Sequence, residues 1–320
     1  MRPAFSVVLL TTLIGAGQGL LLALFAAEFG ARYRWWLAAP ADGSFFAGGA
    51  AIAVALTVAG LVASIFHLGR PERGWRAASR WRTSWLSREI IVLPAFLGAT
   101  ALYGLAHFVP GADGVGVPPT LLLGALAALL AVALYVCTAM IYACLKFLQE
   151  WATPLTVVNY LLLGSASGFT LAAGYAALAA PALLPFFFAW AALLTLAAFA
   201  SRIASLVRNA RLRPKSTLQS AIGIKHPRIA QKSMGMMGGA YNTREFFHGR
   251  SAGLLRAVKW SFLLLAFPLP LALLATGFAA GAPALLAAAF AVQYAGLLAE
   301  RWFFFAQANH PQNLYYQAIG

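Results

Sequence analysis

The chain has 320 residues, of which 62% are hydrophobic and only 10% are charged, and its formal net charge is +15. A soluble domain carries about 25% charged residues, and here apolar runs of about 18 residues or more recur along the whole length. This composition excludes a soluble globular protein and indicates a multi-pass membrane protein. The positive charge does not point to nucleic acid first, because Lys and Arg ordinarily concentrate in the cytoplasmic loops of membrane proteins.

The apolar runs predict an all-α integral membrane protein with eight transmembrane helices. Long unbroken runs favour helices over a barrel, whose strands would alternate with a period of two. We treat residues 1–320 as a single polytopic membrane domain with both termini on the same side of the membrane. The predicted spans are roughly 5–29, 44–67, 89–109, 117–146, 154–178, 181–206, 258–280 and 283–305.

Two pairs of glycines stand four residues apart within predicted spans, Gly15 with Gly19 and Gly164 with Gly168. Small residues at this spacing allow two helices to approach closely in lipid, where tight packing takes the place of the hydrophobic effect. We therefore interpret these four glycines as packing residues.

The basic residues are distributed very unevenly between the two sides of the predicted bundle. One side, here called end X, receives both termini and the links near 67–89, 146–153 and 206–257. Of the 23 Lys and Arg residues, Arg32 and Arg34 are the only two on the opposite side, end Y. The positive-inside rule then predicts that end X is cytoplasmic. A basic surface that docks a protein partner would give the same distribution, whichever side it faced.

The link at 206–257 is unusually long for a connection without a function. It is basic, and it also contains the apolar stretches MGMMGG and REFF. We expect it to fold against a partner or against the bundle and to serve in partner docking. A solvated basic linker is the alternative interpretation.

The predicted spans have no Asp, Glu, Lys or Arg at their centres. Ion-coupled transporters generally place ionisable groups near the bilayer midplane. This pattern argues against a transporter, although a carrier of a neutral solute stays open as an alternative.

The chain offers no set of residues for a metal cofactor of its own. Cys137 and Cys144 lie in one apolar run without a CxxC pattern, which indicates neither an iron–sulfur cluster nor a structural zinc. His67 and His107 close predicted spans on opposite sides, so that no histidine pair is placed to bind a haem iron. A small apolar cofactor such as quinone remains compatible with this bundle.

The link from His67 to Glu89, HLGRPERGWRAASRWRTSWLSRE, is the strongest candidate site. A quinone needs hydrogen-bond partners at its carbonyls and a source of two protons, and histidine and glutamate can supply both. A loop-fixing role for His67 is equally compatible with the chemistry, and tryptophans suit the membrane interface whatever the function. The candidate residues for quinone binding and proton transfer are His67, Arg70, Arg73, Trp85, Arg88 and Glu89. Those for partner docking are Arg76, Arg82, Arg244, Glu245 and His248.

Four motifs carry a resemblance to a known family. HLGRPERGWRA, SWLSRE, GGAYNTREFFHG and ERWFFFAQANHPQNLYY, in this order, resemble the dimethyl sulfoxide reductase anchor subunit family. The resemblance implies a haem-free anchor in a bacterial inner membrane. It also implies two partners, an iron–sulfur subunit and a molybdopterin catalytic subunit, with exchange of electrons between the clusters and ubiquinone or menaquinone. In the family, the residues matching His67 and Glu89 are tied to quinol binding.

The resemblance does not fix the substrate of the complex. Sulfoxide reductases draw electrons from quinol and are expected to dock their partners on the periplasmic side. Related sulfite dehydrogenases deliver electrons to quinone and have cytoplasmic catalytic subunits. Because the charge distribution predicts a cytoplasmic docking face, we expect a sulfite:quinone oxidoreductase. A sulfoxide reductase anchor, a purely structural anchor and a solute carrier are the alternatives.

Overall fold

The computed structural model describes residues 1–35, 37–108, 117–230, 232 and 246–315. Within these ranges all regular structure is helical, and eight segments are long and apolar enough to cross a membrane. The predicted all-α bundle of eight spans is thereby confirmed for the described part of the chain.

Most spans follow one another with short connections, and the longest described links lie between the second and third spans and between the sixth and seventh. The first six are α1 (Phe5–Arg32), α2 (Gly43–Ile65), α3 (Trp85–Ala106), α4 (Pro119–Ala143), α5 (Pro154–Ala179) and α6 (Leu184–Ala210). A short helix, α7 (Leu218–Ile222), lies in the long link. The last two spans are α8 with α9 (Ala252–Ala266 and Pro268–Ala279) and α10 (Pro283–Ala306), and α11 (Gln312–Tyr315) follows.

Contacts between distant segments define end X of the bundle. The amino group of Met1 donates a hydrogen bond to the carbonyl of Ala308 at 2.8 Å. The indole Nε1 of Trp151, in the link between α4 and α5, donates to the carbonyl of Phe304 at 2.8 Å. The beginnings of α1 and α5 and the end of α10 therefore meet at the same end of the molecule.

The glycine pairs mark a close crossing of α1 and α5. A Cβ atom on Gly19 would collide with the carbonyl group of Gly164, and one on Gly168 would collide with the backbone of Gly19. The hydroxyl of Tyr135 in α4 donates to the carbonyl of Gly15 at 2.6 Å beside this crossing. The packing role is confirmed for Gly19, Gly164 and Gly168, where no larger residue fits, whereas a Cβ on Gly15 would make only ordinary contacts.

The third span begins earlier than the sequence predicted, at Trp85 rather than near residue 89. Ser84 caps the helix by accepting a hydrogen bond from the backbone N–H of Ser87 at 3.3 Å, which fixes the first turn there. The preceding link forms a 3₁₀ helix, Pro71–Arg80. The hydroxyl of Ser87 donates to the carbonyl of Ala77 at 2.5 Å, which ties this link to the start of α3.

The seventh span is broken in the membrane. Helix α8 ends at Ala266, and Phe267 has φ −126° and ψ −79°, outside the helical region. Pro268 and Pro270 follow, and Pro270 has no N–H to donate to the carbonyl of Ala266, four residues earlier. The amide of Gln293 in α10 donates to the freed carbonyl of Ala266 at 3.4 Å. The break therefore keeps a hydrogen-bond partner inside the bundle.

Candidate functional site

The carboxylate of Glu89 lies about one turn into α3 and faces a cavity inside the bundle at end X. The hydroxyl of Thr138 in α4 donates to Oε1 of Glu89 at 2.5 Å. Residues of α1, α3, α4, α5 and α10 line the cavity. Its volume is about 20 Å³, which is room for a water molecule.

Tyr160 of α5 and Arg301 of α10 also line this Glu89 cavity. The guanidinium carbon of Arg301 lies 3.7 Å from the centroid of the Tyr160 ring. The hydroxyl of Tyr160 and the Nε of Arg301 are buried and have no hydrogen-bond partner within the described residues. These two groups can donate to an acceptor that enters the cavity.

The rest of the wall combines apolar and polar side chains. Leu10, Ile14 and Leu163 are apolar, whereas the polar members donate to backbone carbonyls: Thr11, Thr12, Gln18, Tyr135 and Ser167. A carboxyl group, two unpaired donors and apolar side chains beside them are groups that can hold a quinone ring and its two carbonyls. The polar set therefore fits a quinone. The volume does not admit a ring with the side chains in their present positions, so that binding requires the walls to separate.

His67 lies just beyond the end of α2, exposed, and outside the wall of the Glu89 cavity. Its imidazole makes no hydrogen bond within the described part of the chain, and partial burial lowers its pKa below the ordinary value of 6.5. About two turns of helix earlier, Gly60 packs against Leu10 and Ile14 of the cavity wall. His67 thus lies about two turns beyond the part of α2 that contacts the cavity wall.

Arg88 points back into the 3₁₀ link rather than into the Glu89 cavity. Its guanidinium donates to the carbonyls of Trp81 and Arg82, each at 2.9 Å. The same group lies 4.2 Å from the ring centroid of Trp85. Two predicted quinone-binding residues, Trp85 and Arg88, therefore attach the 3₁₀ link to the start of α3.

The other arginines of the link face outwards. Arg76 lies over the ring of Trp75 at 5.6 Å and Arg82 over that of Trp81 at 5.3 Å. Arg73 is exposed and 3.8 Å from Glu72, and Arg70 is exposed as well. We call this exposed basic surface, residues 70–82, the link surface. Its charges suit contact with an anionic partner.

Of the docking residues predicted in the long link, the structure describes only His248. Arg244 and Glu245 lie outside the described residues. His248 is half-buried, and its Nδ1 accepts a hydrogen bond from the backbone N–H of Arg250 at 3.0 Å. Burial and the positive charges of the Met1 amino group and Arg250 lower the pKa of His248. This part of the link is therefore packed against the bundle at end X.

Comparison with known proteins identifies the family. The family model described as DMSO reductase anchor subunit (DmsC) matches residues 42–230. A sulfite dehydrogenase subunit of Allochromatium vinosum is 55% identical over 327 residues, covering 100% of each chain. The chain belongs to the DMSO reductase anchor subunit family. It is accordingly the multi-pass membrane anchor of an oxidoreductase complex, and the resemblance predicted from its motifs is confirmed.

Sequence reasoning about this anchor subunit misses a buried ionic cluster next to the Glu89 cavity. Nε of Arg202 in α6 lies 2.7 Å from Oε1 of Glu300 in α10, and both side chains are 2% exposed. Arg301 lies 3.8 Å from the other oxygen of Glu300. These charges stand near predicted span ends, where exposure is expected, but α6 continues to Ala210 and encloses Arg202. The sequence does contain a signal for this pair, because Arg202 and Glu300 carry opposite charges within two otherwise apolar runs.

Proposed function

We propose that this anchor subunit is the quinone-reactive membrane subunit of a sulfite dehydrogenase complex. The observation that carries the proposal is the 55% identity along the whole chain to the sulfite dehydrogenase subunit of Allochromatium vinosum. The Glu89 cavity at end X supports it, because a carboxyl group beside unpaired donors is suited to proton exchange with a quinone.

In the proposed reaction, two electrons reach the quinone from a reduced iron–sulfur subunit docked at end X. Two protons join the carbonyl oxygens and give quinol. Glu89 supplies one proton directly and, once it has been reprotonated from the water at end X, the second as well. Tyr160 and Arg301 donate hydrogen bonds to the ring carbonyls. His67, whose pKa is lowered by partial burial, orients the ring where it enters the site.

The partners in this proposal are an iron–sulfur subunit and a molybdopterin catalytic subunit, which form a heterotrimer with the anchor. These partner subunits dock on the link surface and on the described end of the long link, which includes His248. Basic side chains stacked over indoles hold their charge in place and favour a partner with an acidic face.

We further propose that end X faces the cytoplasm of a bacterial inner membrane. The two cysteines provide the test, because Cys144 is exposed at the end of α4 whereas Cys137 is buried. A membrane-impermeant maleimide should label Cys144 only after intact cells are permeabilised. Labelling of intact cells would place end X outside and would favour the sulfoxide-reducing type of complex.

The quinol-oxidising anchor of a sulfoxide reductase is the second candidate, and the family description favours it. The two candidates differ in the direction of electron flow. Family membership favours either of them over a solute carrier.

The deciding experiment uses the intact complex purified in mild detergent. Sulfite should reduce its iron–sulfur clusters, and added quinone should then reoxidise them. Glu89→Gln and His67→Ala should leave the complex assembled and the clusters reducible but slow reoxidation by quinone. Clusters that do not respond to sulfite but are reduced by quinol would contradict the sulfite assignment. Unchanged reoxidation in both variants would contradict the quinone site.

A further inference from the structure

The buried cluster of Arg202, Glu300 and Arg301 has no part in the quinone chemistry described above, apart from the hydrogen bond that Arg301 donates. Placing such charges inside a lipid-embedded bundle is costly, even when they are paired. Intramembrane ionisable groups mark proton or substrate pathways more often than they serve packing alone. The surroundings of the cluster decide between these roles.

A second cavity adjoins the Glu89 cavity on the side towards end X. Asn159, Arg202, Ser205 and Glu300 line it, and it shares Tyr160 and Arg301 with the Glu89 cavity. We call it the Glu300 cavity. The two cavities therefore adjoin at the side chains of Tyr160 and Arg301.

The Glu300 cavity also shares two residues with the surface. Glu150 and Asn209 line it and line as well an open groove of about 460 Å³ at end X. The Nδ2 of Asn209 lies 3.4 Å from the carbonyl oxygen of Glu150. The Glu89 cavity, the Glu300 cavity and the surface groove thus lie in series from the bundle interior to end X.

Unpaired polar atoms line the Glu300 cavity. Asn159 donates to the hydroxyl of Ser205 at 2.7 Å, but its Oδ1 has no partner among the described residues. One oxygen of Glu300, which lies 3.8 Å from Arg301, and the Nε2 of Gln307 also have no hydrogen-bond partner among these residues. Buried polar groups without protein partners ordinarily bind water. The cavity volume, about 10 Å³, is close to the space that one water molecule requires.

We propose that this series of cavities is the proton route between the water at end X and Glu89, with Glu300 as its ionisable relay. The inference rests on the proposed function, because it assigns the source of the proton that quinone reduction consumes. When Glu89 gives a proton to a carbonyl oxygen of the quinone, its carboxylate regains one through Tyr160, Glu300 and the bound water. The electrons come separately from the reduced iron–sulfur subunit.

The test uses the complete complex and two variants of the Glu300 cavity. Glu300→Gln keeps the shape of the side chain but removes its ionisable proton. Asn159→Leu fills the cavity and leaves the ion pair intact, so that it decides the matter if Glu300→Gln does not assemble. Both should lower kcat for quinone reduction by about tenfold or more, since a positioned proton donor contributes about a hundredfold or more.

Three readouts separate a proton route from a role in packing. The KM for quinone and the amount of bound quinone should stay unchanged, while the solvent deuterium isotope effect on kcat should rise. The matched control is Thr195→Val. Thr195 accepts a hydrogen bond from Gln293 at 3.1 Å between the same helices, α6 and α10, and does not line either cavity. This control should behave as wild type in all three readouts.

The possible outcomes are distinct. If both cavity variants keep the wild-type kcat and isotope effect while Glu89→Gln is impaired, the route is overturned and the quinone site stands. If Glu89→Gln itself turns over quinone normally, the proposed function fails at this site and the route fails with it. If Thr195→Val is impaired as strongly as the cavity variants, the cluster serves packing and the route is overturned.

Discussion

Thr138 donates a hydrogen bond to Glu89 at 2.5 Å across the interface of α3 and α4. This contact fixes the carboxylate against one wall of the cavity that Tyr160 and Arg301 also line. A single hydroxyl therefore sets the orientation of the acid on which the proposed chemistry depends.

Removal of that hydroxyl should misplace the acid without removing it. We expect Thr138→Val to lower kcat/KM for quinone by up to about tenfold, because a typical hydrogen bond is worth about 0.5–1.5 kcal/mol. Steady-state quinone reduction by the purified complex measures this. Thr100→Val is the matched control, because the hydroxyl of Thr100 bonds only to the carbonyl of Phe96 in its own helix. Equal kinetics in the two variants would show that Thr138 does not position Glu89.

The crossing of α1 and α5 should tolerate no additional carbon. Gly168→Ala places a methyl group against the backbone of Gly19, and overpacking of this kind costs about 1–3 kcal/mol. We expect a lower melting temperature in detergent. Gly98→Ala, on α3 with open space around it, should be neutral or slightly stabilising because alanine favours helix. A melting temperature for Gly168→Ala equal to that of Gly98→Ala would contradict the close crossing.

Arg88 should be required for order in the link surface. Arg88→Lys cannot reproduce two hydrogen bonds from a planar guanidinium to two separate carbonyls. Faster hydrogen–deuterium exchange is expected at residues 76–84, together with weaker binding of the iron–sulfur subunit. Arg73→Lys should change neither quantity, since its exposed contact with Glu72 at 3.8 Å contributes little. Identical hydrogen–deuterium exchange in both variants would show that Arg88 does not hold the link in place.

His67 should make the protein more stable at neutral than at acidic pH. Its folded-state pKa is lowered by burial, so the unfolded chain binds the proton more tightly. This contribution to stability is complete above the ordinary pKa of about 6.5 and is lost as the pH falls through the lowered value. The melting temperature of wild type should therefore decline more than that of His67→Gln between pH 7 and pH 5. Parallel declines would contradict the shift.

The architecture is predictable because bilayer thickness and hydropathy constrain it strongly. Eight apolar runs correspond to eight spans, and the glycine spacing indicates close helix packing without saying which helices meet. The predicted start of α3 is wrong because a serine cap, Ser84, extends the helix into a polar stretch that hydropathy assigns to the link. Helix capping depends on one hydrogen bond, and it therefore does not change the hydropathy averaged over a long window of sequence.

The site is predictable only in part. Glu89 stands out by its position beside the link, and the structure places it in a cavity. Its neighbours Thr138, Tyr160 and Arg301 come from three other helices, and no local pattern in the sequence says that these positions meet. Arg88 is next to Glu89 in the sequence, but its side chain bonds to backbone carbonyls of the link instead of facing the cavity. Proximity in sequence therefore identifies the region and not the direction of each side chain.

The break at Phe267 bears on how the protein is made. Before α10 is synthesised, the carbonyl of Ala266 has no Gln293 amide to receive, and an unpaired carbonyl in hydrocarbon costs several kcal/mol. Insertion of the segment from Ala252 to Ala279 into lipid by itself, during translation, is thus unfavourable. We expect the insertion machinery to retain it until its successor emerges, so that the two enter the bilayer together as a helical hairpin.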